Sequence, residues 1–216
     1  MKLQLAMDEL SLEEALMELE HLVEYIDIVE VGTPFLIDVG REAVRRITEK
    51  FPQLEILCDA KIIDAGAYEA KLAYEAGAEY ITVLGVTDDL TIKACVEEGK
   101  KEGRQVMVDM ICVDNLANRV PAVEALGVDV IAVHTGADQQ VAGRTPLEDL
   151  AEVKKYAKNT KVAVAGGINS QTISKYIQFK PDIVIVGSGI LKAKDSVKEA
   201  GLIGEALKAG DAKWKK

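Results

Sequence analysis

Cysteine, proline and aromatic residues are all scarce in this chain. Its 216 residues include three cysteines, five prolines and 5% aromatics. Cys58, Cys95 and Cys112 are odd in number, far apart and without CxxC spacing, which excludes a CxxC metal or redox site. Cys95 reads as a small buried hydrophobe on a helix. No apolar run approaches the roughly 20 residues that a membrane-crossing helix needs. The amino terminus, MKLQLAMDELSLEE, turns acidic too early for a signal peptide, so a cytoplasmic protein is expected. Positive charge is short as well: 26 Lys and Arg stand against 36 Asp and Glu, a formal net charge of −10. That argues against nucleic acid or an anionic membrane as the main partner. An anionic ligand would have to be caught locally, by backbone amides or a few placed cations.

What the chain does have is apolar residues, 49% of the total, and 17 glycines, too much regular hydrophobic pattern for disorder. Short apolar runs rich in Val and Ile recur at 3–8, 27–33, 55–61, 80–85, 105–111, 130–134, 161–167 and 183–187, each followed by an amphipathic segment. In the first of these, Leu12, Ala15, Leu16, Leu19, Leu22 and Val23 share one helical face. Eight units in 216 residues leave 27 for each, room for a strand, a helix and two short loops. Near-continuous apolar strands belong to parallel sheets covered on both faces. The pattern predicts an α/β fold, a closed (β/α)8 barrel with eight helices, occupying 1–216 as a single domain. An open doubly wound sheet is the alternative, but its GxGxxG turn is missing after the first strand, where the chain reads Met7-Asp8-Glu9. No linker or low-complexity tract divides the chain, and the basic end Lys213-Trp214-Lys215-Lys216 is expected to fray.

Barrels of this kind carry their chemistry at the carboxyl ends of the strands. There the sequence places Asp8, Glu30, Asp59, Lys61, Asp109 and His134, then Gly166-Gly167 and Gly187-Ser188-Gly189. Asp8 stands close enough to a helix start at Ser11 to be a cap. Glu30 interrupts the apolar run Ile28-Val29-Glu30-Val31, where an unpaired carboxylate is costly and implies a partner or a cation. Asp59 and Lys61, in DAKIID, are expected on one side of their strand by its period of two. Glu30 and Asp59 are suitable Mg²⁺ ligands, able with waters to hold a sugar carbonyl and hydroxyl, and Mn²⁺ accepts similar oxygens. His134 is placed for proton transfer, the alternative being a satisfied core histidine; His21, in the first helix, reads as surface or structural. The glycine pairs Gly166-Gly167 and Gly187-Gly189 serve either bare tight turns or, at these two loops together, a phosphate.

At DAKIID the chain resembles the orotidine 5′-monophosphate decarboxylase superfamily, whose DxKxxD signature stands here as Asp59, Lys61 and Asp64. The resemblance runs over essentially the whole chain. Within that group EVGTP (30–34), LCDAKIIDAG (57–66), VDMI (108–111), VHTG (133–136), VAGGI (164–168) and IVIVG (183–187) look like the 3-hexulose-6-phosphate synthase family. The sister family, 3-keto-L-gulonate 6-phosphate decarboxylase, typically has Glu, Arg and Thr where this chain has Asp109, Ala137 and Ala165. It also has an arginine at Ser188, so phosphate binding here would rest on amides and hydroxyls.

The resemblance implies a magnesium-dependent aldol condensation of D-ribulose 5-phosphate with formaldehyde through a 1,2-enediolate. Glu30 and Asp59 would hold the metal and Lys61 the enediolate oxygen, with Asp8 and Asp64 fixing the lysine's charge. His134, backed by Asp109, would carry the proton, and Gly166, Gly167, Gly187 and Ser188 would bind the phosphate. It further implies a homodimer in which Asp64 reaches the neighbouring site. Sister decarboxylation and a non-catalytic sugar-phosphate-binding barrel are the competing readings.

Overall fold

The strands alternate residue by residue between two apolar environments, and the chain closes on itself around that alternation. The computed structural model describes residues 1–214, with side chains through 212; the basic end expected to fray lies outside the described side chains. Eight strands, β1 (Lys2–Met7), β2 (Ile28–Val31), β3 (Glu55–Ile62), β4 (Tyr80–Leu84), β5 (Gln105–Asp109), β6 (Val130–His134), β7 (Lys161–Ala165) and β8 (Ile183–Val186), form one closed parallel barrel in sequence order. β8 returns to β1 with Leu3 beside Val184 and Leu5 beside Val186. The expected (β/α)8 barrel is therefore the observed fold.

The helices are more numerous than the eight expected. Between the strands run α1 (Leu12–Leu22), α2 (Thr33–Val39), α3 (Glu42–Lys50), α4 (Gly66–Glu75), α5 (Asp89–Glu102), α6 (Leu116–Ala125), α7 (Ala137–Val141), α8 (Leu147–Tyr156) and α9 (Ser174–Ile177), and after β8 come α10 (Ser188–Leu191) and α11 (Ser196–Trp214). Two of the divisions have a local cause. Gly40 at φ +70° separates α2 from α3, and Gly143 at φ +83° separates α7 from α8; a left-handed glycine ends a helix. Three strands also stop two residues short of their expected ends: β2, at Val31, β5 and β7. β5 ends at Asp109, whose side chain accepts the Ile111 N–H at 2.9 Å. β7 ends at Ala165 because Gly166 and Gly167 both have positive φ, which strands do not use.

Along β1, Leu3, Leu5 and Met7 face outward into the layer beneath the helices, while Ala6 joins Ile28, Leu57, Tyr80, Met107, Val130, Ala132, Ala163, Ile183 and Ile185 inside the barrel. Continuing the inward parity by two residues reaches Asp8, Glu30, Asp59, Thr82, Asp109, His134, Ala165 and Gly187. Packing of the interior thus delivers one ring of strand-end residues to the mouth. Cys95 on α5 is fully buried, as expected, and His21 on α1 is exposed.

The first helix shows how a loop beside the mouth is fixed. Ser11 accepts the Glu14 N–H, and its own N–H donates to Glu14 Oε2 at 2.9 Å, a reciprocal cap. Ser11→Ala is expected to cost about 1 kcal/mol, lowering Tm by roughly 2–4 °C for a domain of this size. Thermal unfolding followed by circular dichroism checks it; an unchanged Tm would show the cap to be idle.

Candidate active site

The mouth opens into a cavity of about 780 Å³ lined by Asp8, Glu30, Asp59, Lys61, Asp109, His134, Gly166, Gly167, Gly187 and Ser188. Ten of the eleven residues singled out in the sequence are thus brought together. The eleventh, Asp64, is exposed and is not among the cavity's lining residues; its Oδ1 accepts the neighbouring Ala65 N–H at 2.7 Å.

A continuous chain of contacts crosses the floor. Lys61 Nζ lies 2.5 Å from Asp59 Oδ2 and 3.4 Å from Asp109 Oδ2, and His134 Nδ1 is 2.8 Å from the same Asp109 oxygen. Asp59 and Asp109 are buried. With Asp109 ionised, His134 carries its proton on Nδ1, which leaves Nε2 as the basic nitrogen. Burial alone would raise the Asp109 carboxyl, but the hydrogen bond and charge of His134, together with Lys61, hold it below the ordinary carboxylate range. Burial likewise disfavours the Lys61 ammonium; Asp59 and Asp109 more than offset it and keep that lysine charged above its usual range.

Asp59 and Lys61 meet by a different route from the simple pleat expected. β3 and β4 stay in register as far as Cys58 beside Ile81 and resume at Ile62 beside Val83, with an irregularity between. Within it Lys61 takes φ +46°, a left-handed conformation that costs a non-glycine residue about 1–3 kcal/mol. Thr82 holds it there: its hydroxyl donates to Asp59 Oδ1 at 2.7 Å and accepts the Lys61 N–H at 2.9 Å. Thr33 adds a second hydroxyl, 2.8 Å from Asp59 Oδ2. The fully buried Gln4 donates to Glu30 Oε2 at 2.6 Å, and its own Oε1 is the buried side-chain atom left without a partner among the described residues. Asp8 is fitted closely enough that a side chain at Gly32 would strike it, an added Cβ falling 2.0 Å from Asp8 Oδ1.

Thr82, Thr33 and Gln4 were not singled out in the sequence. Gln4 and Thr82 carried a signal, being polar residues at inward parity in apolar strands. Glu9 and Lys192, at the rim of the cavity, were also passed over; they look like ordinary surface charges.

Burial and the neighbouring Asp59 push the Glu30 carboxyl well above the ordinary range, against the Gln4 hydrogen bond, and burial with Asp59 raises Asp8 too. The cluster therefore favours a cation. Among the described residues no group of three or more His, Cys, Asp or Glu could hold a metal ion, so an ion at Glu30 and Asp59 would draw its other ligands from water and substrate, a coordination that suits Mg²⁺.

The chain matches the model of the orotidine 5′-phosphate decarboxylase / HUMPS family over residues 1–203. It belongs to that family. The 3-hexulose-6-phosphate synthase of Bacillus subtilis (strain 168) is 49% identical over 210 residues, covering 97% of this chain and all of that protein. A crystal structure of 3-hexulose-6-phosphate synthase from Salmonella typhimurium superposes with a TM-score of 0.96 at 52% identity, over 97% of this chain and 100% of that one. A 3-keto-L-gulonate-6-phosphate decarboxylase from Vibrio cholerae shares the fold, with a TM-score of 0.85 at 24% identity over 96% of this chain and 97% of that one.

The raised Glu30 has a consequence for stability. Between the unfolded value near 4.5 and its raised folded value, the folded chain holds a proton the unfolded chain has lost, so stability falls as pH rises through that window. In metal-free protein Glu30→Gln is expected to have a higher Tm than the parent at pH 8, the gap narrowing toward pH 4.5. Equal melting at pH 8 would mean that Glu30 carries no electrostatic strain.

Proposed function

We propose that this chain, a lyase-type enzyme by its family and relatives, condenses D-ribulose 5-phosphate with formaldehyde to D-arabino-hex-3-ulose 6-phosphate. The observation that carries the reading is the chain Asp59–Lys61–Asp109–His134 in a cavity bordered by the two glycine loops, within a sequence about half identical to synthases along its length.

Each residue then has a task. Glu30 and Asp59 would hold Mg²⁺, or Mn²⁺, which supplies Lewis acidity to polarise the C2 carbonyl and offset the charge of the 1,2-enediolate. The Lys61 ammonium, kept charged by two carboxylates, donates a hydrogen bond to the enediolate oxygen. His134 Nε2 carries a proton, from C1 of the pentulose or to the alkoxide that forms when C1 attacks the formaldehyde carbon. Asp109 fixes the tautomer and orientation of that imidazole. Amides of Gly166, Gly167 and Gly187 and the Ser188 hydroxyl receive the phosphate. Ala137 and Ala165, both in the cavity lining, add no charge of their own to pair with a substrate carboxylate, which suits uncharged formaldehyde. Three free cysteines, Cys58, Cys95 and Cys112, accord with a cytoplasmic enzyme.

Purified protein with Mg²⁺, ribulose 5-phosphate and formaldehyde should consume formaldehyde and stop when EDTA is added. Formaldehyde left intact, or consumed regardless of EDTA, defeats the mechanism; release of CO₂ from 3-keto-L-gulonate 6-phosphate without formaldehyde consumption would favour the sister activity.

The reading also includes a homodimer with Asp64 shared across it. Asp64 is exposed outside its own cavity, and Ile63, Tyr68, Val86 and Leu90 are exposed on the segments around it, where the Thr87 hydroxyl donates to the Ile63 carbonyl at 2.6 Å. Mixing Asp64→Asn chains with Lys61→Ala chains, each inactive alone, should restore activity in the hybrid. No restoration in verified mixed dimers would place Asp64 outside the neighbour's site.

A further inference from the structure

One cation at the cavity stands apart from the contacts of the floor. Lys192, just past α10, lines the cavity together with Gly187 and Ser188. Its N–H donates to the Ser188 carbonyl at 3.0 Å, so the two residues lie one helical turn apart on the same side. The loops after β7 and β8 press together here: a Cβ at Gly189 would fall 2.1 Å from the Ile168 carbonyl oxygen. Gly166, Gly167, Ser188 and Lys192 therefore border one end of the cavity. The Lys192 ammonium reaches across the rim to Glu9, between β1 and α1, with Nζ 2.7 Å from Oε2 and side chains 63% and 70% exposed.

Charge makes this lysine conspicuous. Five acids line the cavity, and of its two lysines Lys61 is engaged at depth by Asp59 and Asp109. Lys192 is therefore the cavity lysine whose charge is not already engaged by buried carboxylates. The pair Lys192 makes with Glu9 is weak, since exposed ion pairs are solvated and screened. An ammonium hydrogen-bonded to a phosphate oxygen is a stronger contact.

We propose that Lys192 is the cation of the sugar-phosphate subsite and that Glu9 holds it in reserve, the ammonium exchanging the Glu9 carboxylate for the phosphate as substrate enters. The inference rests on the sugar-phosphate reading given above. Glu9 then acts against binding twice, by competing for the ammonium and by repelling the dianion.

Calorimetric titration with D-ribulose 5-phosphate, without formaldehyde, and separately with inorganic phosphate tests the exchange in the parent, Lys192→Met, Glu9→Gln and the double variant. All the altered side chains are exposed, so the variants should fold, and circular dichroism verifies it. Lys192→Met should weaken both ligands about tenfold or more, and in turnover the loss should appear in KM. Glu9→Gln should tighten both roughly two- to fivefold, and the double variant should bind as Lys192→Met does. Parent-like binding of both ligands by Lys192→Met overturns the exchange, as does tightening by Glu9→Gln that survives undiminished in the double variant. If inorganic phosphate responds as expected while no form binds the pentulose phosphate, the exchange stands and the proposed substrate falls.

Discussion

Pairing β8 back onto β1 leaves eight strands whose inward positions can only stack in layers. Each inward position lies two residues from the next along a strand, so the apolar positions Ile28, Leu57, Tyr80, Met107, Ala132 and their neighbours fix what comes next along every strand. What comes next is Glu30, Asp59, Thr82, Asp109 and His134. The site is thus the uppermost layer of the barrel's own packing, and its side chains rest on close-packed hydrocarbon. A slip of one residue in any strand would turn its polar group outward beneath the helices, where a carboxylate has no partner.

Crowding carboxylates into that layer is expensive, and the structure shows where the expense falls. Glu30 and Asp8 are pushed toward the protonated form by burial and by Asp59, while Asp109 is held ionised by His134 and Lys61. Asp59 takes hydroxyls from Thr33 and Thr82 as well as the Lys61 ammonium. Removing Thr82 would leave the Lys61 N–H and Asp59 Oδ1 without this partner, each at a cost of about 1–3 kcal/mol if left unsatisfied. The positive φ of Lys61 belongs to the same arrangement, in which its N–H meets Thr82 and its ammonium lies 2.5 Å from Asp59 and 3.4 Å from Asp109.

Parity explains how much of this was legible in the sequence. The eight apolar runs and their spacing gave the barrel, and strand ends gave the acids, the lysine and the histidine, because both follow from local pattern. Extra helices were missed where one left-handed glycine divides a segment, as Gly40 and Gly143 do, since glycine is equally at home in a plain loop. The irregularity at Lys61 was missed because it depends on Thr82, 21 residues away in sequence. Gln4 and Thr82 could have been found by asking which inward positions are polar. Glu9 and Lys192 were not found, because each reads locally as an ordinary surface charge and nothing in the sequence marks the contact they make across the rim.

Closure of the barrel also bears on how so acidic a chain could accept the anionic substrate proposed for it. The acids and the glycine loops share one mouth but not one depth. Asp59 and Asp109 are buried and engaged with Lys61 and His134, so much of their field is neutralised locally. At the rim, Lys192 and Glu9 are solvated, and water and salt weaken their attraction. A sugar phosphate can therefore present its uncharged reacting end to the floor and leave its dianion at the rim, among backbone amides and the more weakly held of the two lysines. The net charge of −10 then bears on orientation as much as on affinity: with the floor's charges paired among themselves, the cation free to exchange partners lies at the rim.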